Sequence, residues 1–174
     1  MDYFFTSRVT TRRHHQAVPG VALDGAMYTS RSRALKDGTP FFLGADMRPL
    51  EPHCSFFYEL AKTLEAKSLR DYTYDFLDLD DFLARLDPPS DLLSATEDDL
   101  IAYRDYCIEY RDEPMAPATW KRRRATINRF YDWAVDEARL LDRRPYYRKK
   151  NGRDILNWGA TSELDVRHLT FEQW

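Results

Sequence analysis

The chain has 174 residues, of which 43% are hydrophobic, 32% charged and 14% aromatic, with a formal net charge of −3. That composition supports one folded domain with extensions and excludes a chain disordered throughout. No apolar run approaches the roughly 18 residues of a membrane helix. No charged start followed by an apolar stretch marks a signal peptide. Cys54 and Cys107 stand outside any CxxC or Cys/His ligand spacing, so no zinc site or disulfide framework is expected, and two reduced thiols fit a cytoplasmic protein.

Charge is unevenly spread. Residues 51–115 carry six basic and seventeen acidic side chains, whereas residues 116–153 carry twelve basic and four acidic ones. A basic block behind an acidic one makes a polarised molecule, and local sign governs an encounter with phosphates more than net charge does.

In chain order, residues 1–50 show no helical period. The strand-like runs Ala26 to Thr29 and Phe41 to Leu43 flank Lys36-Asp37-Gly38-Thr39-Pro40, a turn signal. This reads as an irregular arm with a small hairpin. The adjacent Arg12, Arg13, His14 and His15 read as an exposed, solvated stretch. After Pro49 and Pro52, Phe56, Phe57, Leu60 and Leu64 recur at helical steps, which predicts a short helix to about Lys67. Ser68 is a candidate cap for a second helix whose stripe is Leu69, Tyr72, Phe76, Leu79, Leu83 and Leu86, stopped by Pro88 and Pro89. Thr96 followed by Glu97, Asp98 and Asp99 starts a third helix. Its face is Leu100, Tyr103, Cys107 and Tyr110. The longest helix opens at Pro117 or Thr119 and runs to about Leu141. Its core arc holds Trp120, Ile127, Tyr131, Ala134 and Ala138, with Phe130 and Val135 on the margins. Past Pro145 the chain is a basic linker, and there is no internal repeat. The expected fold is all-α: a bundle of about four helices (54–147), an N-terminal arm (1–53) and a C-terminal linker and tail (148–174).

The last helix is the strongest candidate site. With Ile127 at the centre of the core face, steps of 100° point Arg122 and Arg129 away from the core. Lys121 lies on one flank of this outer face, and Thr126 and Trp133 on the other. Arg123 and Arg124 straddle the core boundary, where long side chains reach water. Two outward arginines seven residues apart form a row about 10 Å long, suited to tracking phosphates or reading guanine edges. The plainer reading is a solvated face with Asp132 and Asp136 paired to Arg129. On the outward placement, Arg122 and Arg129 are dispensable for stability. Asp78, Asp80 and Asp81 scatter around a helix with no Gly-containing calcium loop, so they read as a solvated face rather than a metal site. His14, His15, His53 and His168 make no HExxH, and no GxSxG, Walker loop or GxGxxG occurs. No cofactor is expected.

Three stretches resemble the core-binding domain of tyrosine recombinases, the phage integrase group. Residues 68–83 resemble the opening helix, with hydroxyl Ser68, aromatic Tyr72 and the Phe82-Leu83 pair. Residues 93–100, containing Ala95-Thr96-Glu97-Asp98-Asp99-Leu100, resemble the entry to the middle helix. Residues 118–134 resemble the T-x-x-x-R…I-x-x-F-Y-x-W-A helix, with Thr119, Arg123, Ile127, Phe130, Tyr131, Trp133 and Ala134. Leu140 to Pro145 resembles the short exit, with Arg144 where Asn is usual. The resemblance covers about residues 54–147. It implies a SAM-like DNA-binding domain, one half of a clamp on duplex DNA at a recombination core site in DNA integration. On this reading Ser68, Arg70, Thr119, Lys121, Arg122, Thr126 and Arg129 meet phosphates or base edges, and Arg148, Lys149 and Lys150 begin the linker to the catalytic half. Residues 166–174 resemble the start of that half. The family's two arginines, His-x-x-Arg and nucleophilic tyrosine find no counterpart here, so this chain is expected not to be an enzyme. Double-stranded DNA is the expected partner, with other recombinase protomers beside it and a cytoplasmic, nucleoid-associated location. The rival class is a helical protein–protein interaction module, its acidic 51–115 surface binding a basic partner. A purely structural bundle is the third reading.

Overall fold

The computed structural model describes residues 1–6, 36–146 and 155–157. The elements are β1 (Asp2–Phe5), β2 (Pro40–Leu43), α1 (His53–Ala61), α2 (Ala66–Ala84), α3 (Glu97–Asp105), a π-helical turn (Tyr106–Tyr110) and α4 (Pro117–Asp136). The fold class is all-α, with one small antiparallel sheet. The chain divides into two compact units, Met1–Tyr74 and Asp75–Trp174, with the division inside α2.

In the first unit, β1 pairs antiparallel with β2 in the register Asp2↔Leu43, Tyr3↔Phe42, Phe4↔Phe41 and Phe5↔Pro40. The strand-like run Phe41 to Leu43 is therefore a strand, but its partner is the N-terminus. Ala26 to Thr29 lie outside the described residues, as do Arg12, Arg13, His14 and His15. The turn signal is real: the Thr39 amide donates to the Lys36 carbonyl at 3.1 Å, with Gly38 at φ 80°. Only glycine enters that left-handed region without strain. A Cβ there would also lie 2.5 Å from the Ala66 Cβ, at the start of α2. Phe42, Phe56 and Phe57 are fully buried. The Phe42 ring lies 5.3 Å from that of Phe57, and the Cys54 thiol donates to the Phe42 carbonyl at 3.2 Å. These contacts fix β2 on α1.

Helix α1 stops at Ala61, short of the expected Lys67, and Lys36 Nζ donates to the Leu64 carbonyl at 2.8 Å in the turn that follows. Helix α2 begins two residues before Ser68, so Ser68 is a helical residue rather than the cap. The stripe is largely as expected, with Leu69, Phe76, Leu79 and Leu83 buried, Tyr72 half-buried, and Leu86 past the helix end.

In the second unit, Thr96 caps α3 in a reciprocal box: the Asp99 amide donates to Thr96 Oγ1, and the Thr96 amide to the Asp99 carboxylate. The helix then widens into its π-helical turn. Leu100, Tyr103 and Cys107 are buried as expected, but Tyr110 is 52% exposed. A π turn carries an extra residue per turn, which rotates Tyr110 off the face an α-helix would give it. Pro117 opens α4, where its missing N–H costs nothing. The helix ends at Asp136, not Leu141. Arg139 takes φ 53°, and the Leu140 and Leu141 amides turn back to the Ala134 carbonyl. This left-handed exit is usually signalled by Gly or Asn, and Arg gives no such signal. No described helix is long and apolar enough to cross a membrane.

We expect Gly38→Ala to destabilise the protein by more than about 1 kcal/mol, from left-handed strain and the collision with Ala66. Urea unfolding followed by circular dichroism checks this.

Candidate nucleic-acid interface

Burial on α4 is wider than the sequence implies. Trp120, Arg123, Thr126, Ile127, Asn128, Phe130, Tyr131, Trp133 and Ala134 are all buried. The exposed part narrows to a strip holding Ala118, Lys121, Arg122, Arg129 and Asp136. Thr126 and Trp133, expected on the outer flank, face inward instead: Thr126 is 1% exposed and donates its hydroxyl to the Arg122 carbonyl at 3.4 Å. The large rings of Phe130 and Trp133 need a broad cover, with centroids 6.0 Å apart. That breadth carries the core past the arc centred on Ile127.

The four consecutive basic residues separate into distinct environments. Lys121 is exposed. Arg122 is 41% exposed and grips the Asp75 carboxylate of α2 with two hydrogen bonds, Nε at 2.8 Å and Nη2 at 2.9 Å. Arg123 is buried at 7% exposure. Its Nε stands 3.5 Å from the same carboxylate, and its Nη1 pairs with Asp78 and donates to the Tyr103 hydroxyl at 2.8 Å. Arg124 is half-buried and donates to the Asn157 side-chain oxygen.

Asp78 is the second carboxylate of this cluster. It also accepts from the Tyr103 hydroxyl at 2.9 Å and from Arg111 Nη2 at 2.9 Å. Asp78 is therefore not part of a simple solvated face; Asp81, by contrast, pairs with Arg85 at the surface. Burial pushes the Tyr103 hydroxyl well above its usual range. Burial likewise raises the Cys107 thiol, with Arg123 opposing. Burial disfavours the Arg123 cation, but the charges of its partners outweigh this and hold it more firmly protonated than usual. That Asp75, Asp78, Tyr103 and Arg111 form one network is not apparent from the sequence. The available signal was Asp75 itself, a carboxylate at the phase of an apolar stripe.

Of the other expected contacts, Thr119 is half-buried at the start of α4. Asp132 and Asp136 hold Arg144, at 2.7 and 3.6 Å. In the first unit, Ser68 is half-buried, and Arg70 is exposed with its guanidinium 5.1 Å from the Phe5 ring centroid. Arg148, Lys149 and Lys150 lie outside the described residues. The structure thus brings Thr119, Lys121, Arg122 and Arg129 onto one helix and removes Thr126 from its surface. No group of three or more residues suited to holding a metal occurs among the described residues.

A helical domain with a cationic strip on its last helix is the class of protein these observations define. Residues 55–138, from α1 to just past the end of α4, match the family model described as phage integrase, N-terminal SAM-like domain. Over this segment, just under half of the chain, the protein is similar to the N-terminal SAM-like domain of phage integrases. No curated protein and no solved structure matches the chain significantly.

Removing Arg122 leaves the buried Asp75 without its two-point partner. We expect Arg122→Ala to cost about 2 kcal/mol, below the roughly 3–5 kcal/mol of a fully buried pair because Arg122 is partly exposed. This reverses the neutrality its outward phase implies. Lys121→Ala, at an exposed position, should stay within about 0.5 kcal/mol. Denaturant titration of the two variants measures the contrast.

Proposed function

We propose that this domain binds double-stranded DNA at a recombination core site, as the N-terminal half of a recombinase clamp. The supporting observation is the family match over residues 55–138, joined to the exposed Lys121, Arg122 and Arg129 on α4. On this reading residues 54–147 form the DNA-binding domain and 148–174 lead toward a catalytic half that carries the chemistry. Lys121 and Arg129 meet phosphates from the exposed strip of α4. Arg122 arrives already oriented, because Asp75 fixes the plane of its guanidinium. An arginine locked in one orientation loses less entropy on contact and suits a fixed phosphate or a guanine edge. Thr119, Ser68 and Arg70 are further contacts on this proposal; Thr126 is not.

Most of the affinity arises from phosphates, so it falls steeply with salt. Fluorescence anisotropy with an attachment-site duplex should show a linear fall of log affinity against log salt. Lys121→Ala combined with Arg129→Ala should flatten that slope by about 2, at roughly 0.9 per lost phosphate contact. A flat salt response in the parent protein, or indifference to any duplex at low salt, rejects DNA binding and favours a protein-interaction module.

A further inference from the structure

Residues 155–157 lie outside the segment matched to the family, yet they are bound into the second unit. Leu156 is completely buried. Its carbonyl accepts from the Trp120 indole Nε1 at 2.8 Å. The Ile155 carbonyl accepts from Arg104 Nη1 of α3, and the Asn157 side-chain oxygen accepts from Arg124 Nη1 of α4. With the segment in place Trp120 is 1% and Arg104 4% exposed, and Arg104 is held independently of the segment by Asp105, its Nε at 2.7 Å. Three donors from two helices thus converge on three consecutive residues. Two donors take main-chain carbonyls, which any peptide in a like turn offers. The Leu socket and the Asn amide add selectivity.

We propose that the Arg104–Trp120–Arg124 surface is a docking site for a short Leu-Asn peptide segment, filled in this chain by its own Ile155–Asn157. Docking has an electrostatic consequence. Arg124 is held against a neutral amide and is withheld from an anionic partner. When the segment leaves, Arg124 becomes available beside Lys121, three residues before it, at the margin of the cationic strip. This last consequence rests on the DNA-binding reading; the docking itself does not.

The experiment uses the full chain labelled with nitrogen-15, with the Trp120 indole proton assigned through Trp120→Phe. That proton should exchange with solvent far more slowly than a free indole. Leu156→Ala empties the socket, weakens docking at least about thirty-fold and speeds the exchange accordingly. A synthetic peptide spanning residues 153–159 should restore protection to Leu156→Ala. If Leu156→Ala fails to fold, exchange in the unaltered protein still decides: a Trp120 indole proton exchanging at the free rate overturns the docking site. Asn157→Ala removes the Arg124 acceptor and leaves the Ile155 and Leu156 carbonyls in place. It should keep the indole protected, raise duplex affinity several-fold at low salt and steepen the salt slope by about 1. Identical affinity and slope in Asn157→Ala and the parent overturn the withholding of Arg124. If neither protein binds duplex, the DNA reading has failed, while indole protection separately decides whether the segment docks.

Discussion

Asp75 sits at 1% exposure, and a carboxylate in that position requires cations. Removing an ion from water costs several kcal/mol, which only close, well-oriented partners offset. Arg122 and Arg123 meet the need from one side, and Asp78, Tyr103 and Arg111 extend the arrangement. Apolar contacts between helices tolerate sliding and rotation, but a two-point guanidinium–carboxylate pair does not. Within the second unit, these bonds tie α4 to the last part of α2 and to the end of α3 in one register. Well-packed apolar residues can match such a cluster in stability, so its distinctive contribution is geometry.

That arrangement changes what a run of basic residues means. Counting residues 121–124 gives four cations available to an anion. In the folded chain Arg123 is internal, Arg122 is half engaged, Arg124 is held by a neutral amide, and Lys121 is exposed. The interface is thinner in charge than the sequence suggests, and it is more ordered. An arginine gripped by a buried acid presents one face of its guanidinium in one plane. On the proposed DNA-binding reading, orientation substitutes for part of the lost charge at a rigid duplex.

Much of the fold was legible in the residues. Leu69, Phe76, Leu79 and Leu83 repeat at helical spacing because one face of α2 is buried. Thr96 and Asp99 mark a helix start through chemistry that is local to four residues. Features that depend on distant partners were hidden. Nothing near Asp2 to Phe5 indicates that they pair with Pro40 to Leu43. Helical phase around Ile127 placed Thr126 outward because it assumes a neighbour on one side only, whereas α4 is covered over a broader arc. Arg122 was correctly phased toward solvent, yet its length lets the guanidinium return to Asp75. Long side chains break the link between where a Cβ points and where a charge resides.

The π-helical turn at Tyr106–Tyr110 is an α-helix that has absorbed one surplus residue. The wider turn sweeps less angle per residue than the roughly 100° of an α-helix, so the surplus residue is taken up within it. Cys107 stays buried against Arg123, and Arg111, just beyond the turn, still reaches Asp78. Tyr110 is the residue turned out to solvent. The extra length is therefore absorbed on the surface side, while the inner side chains keep their places in the buried cluster.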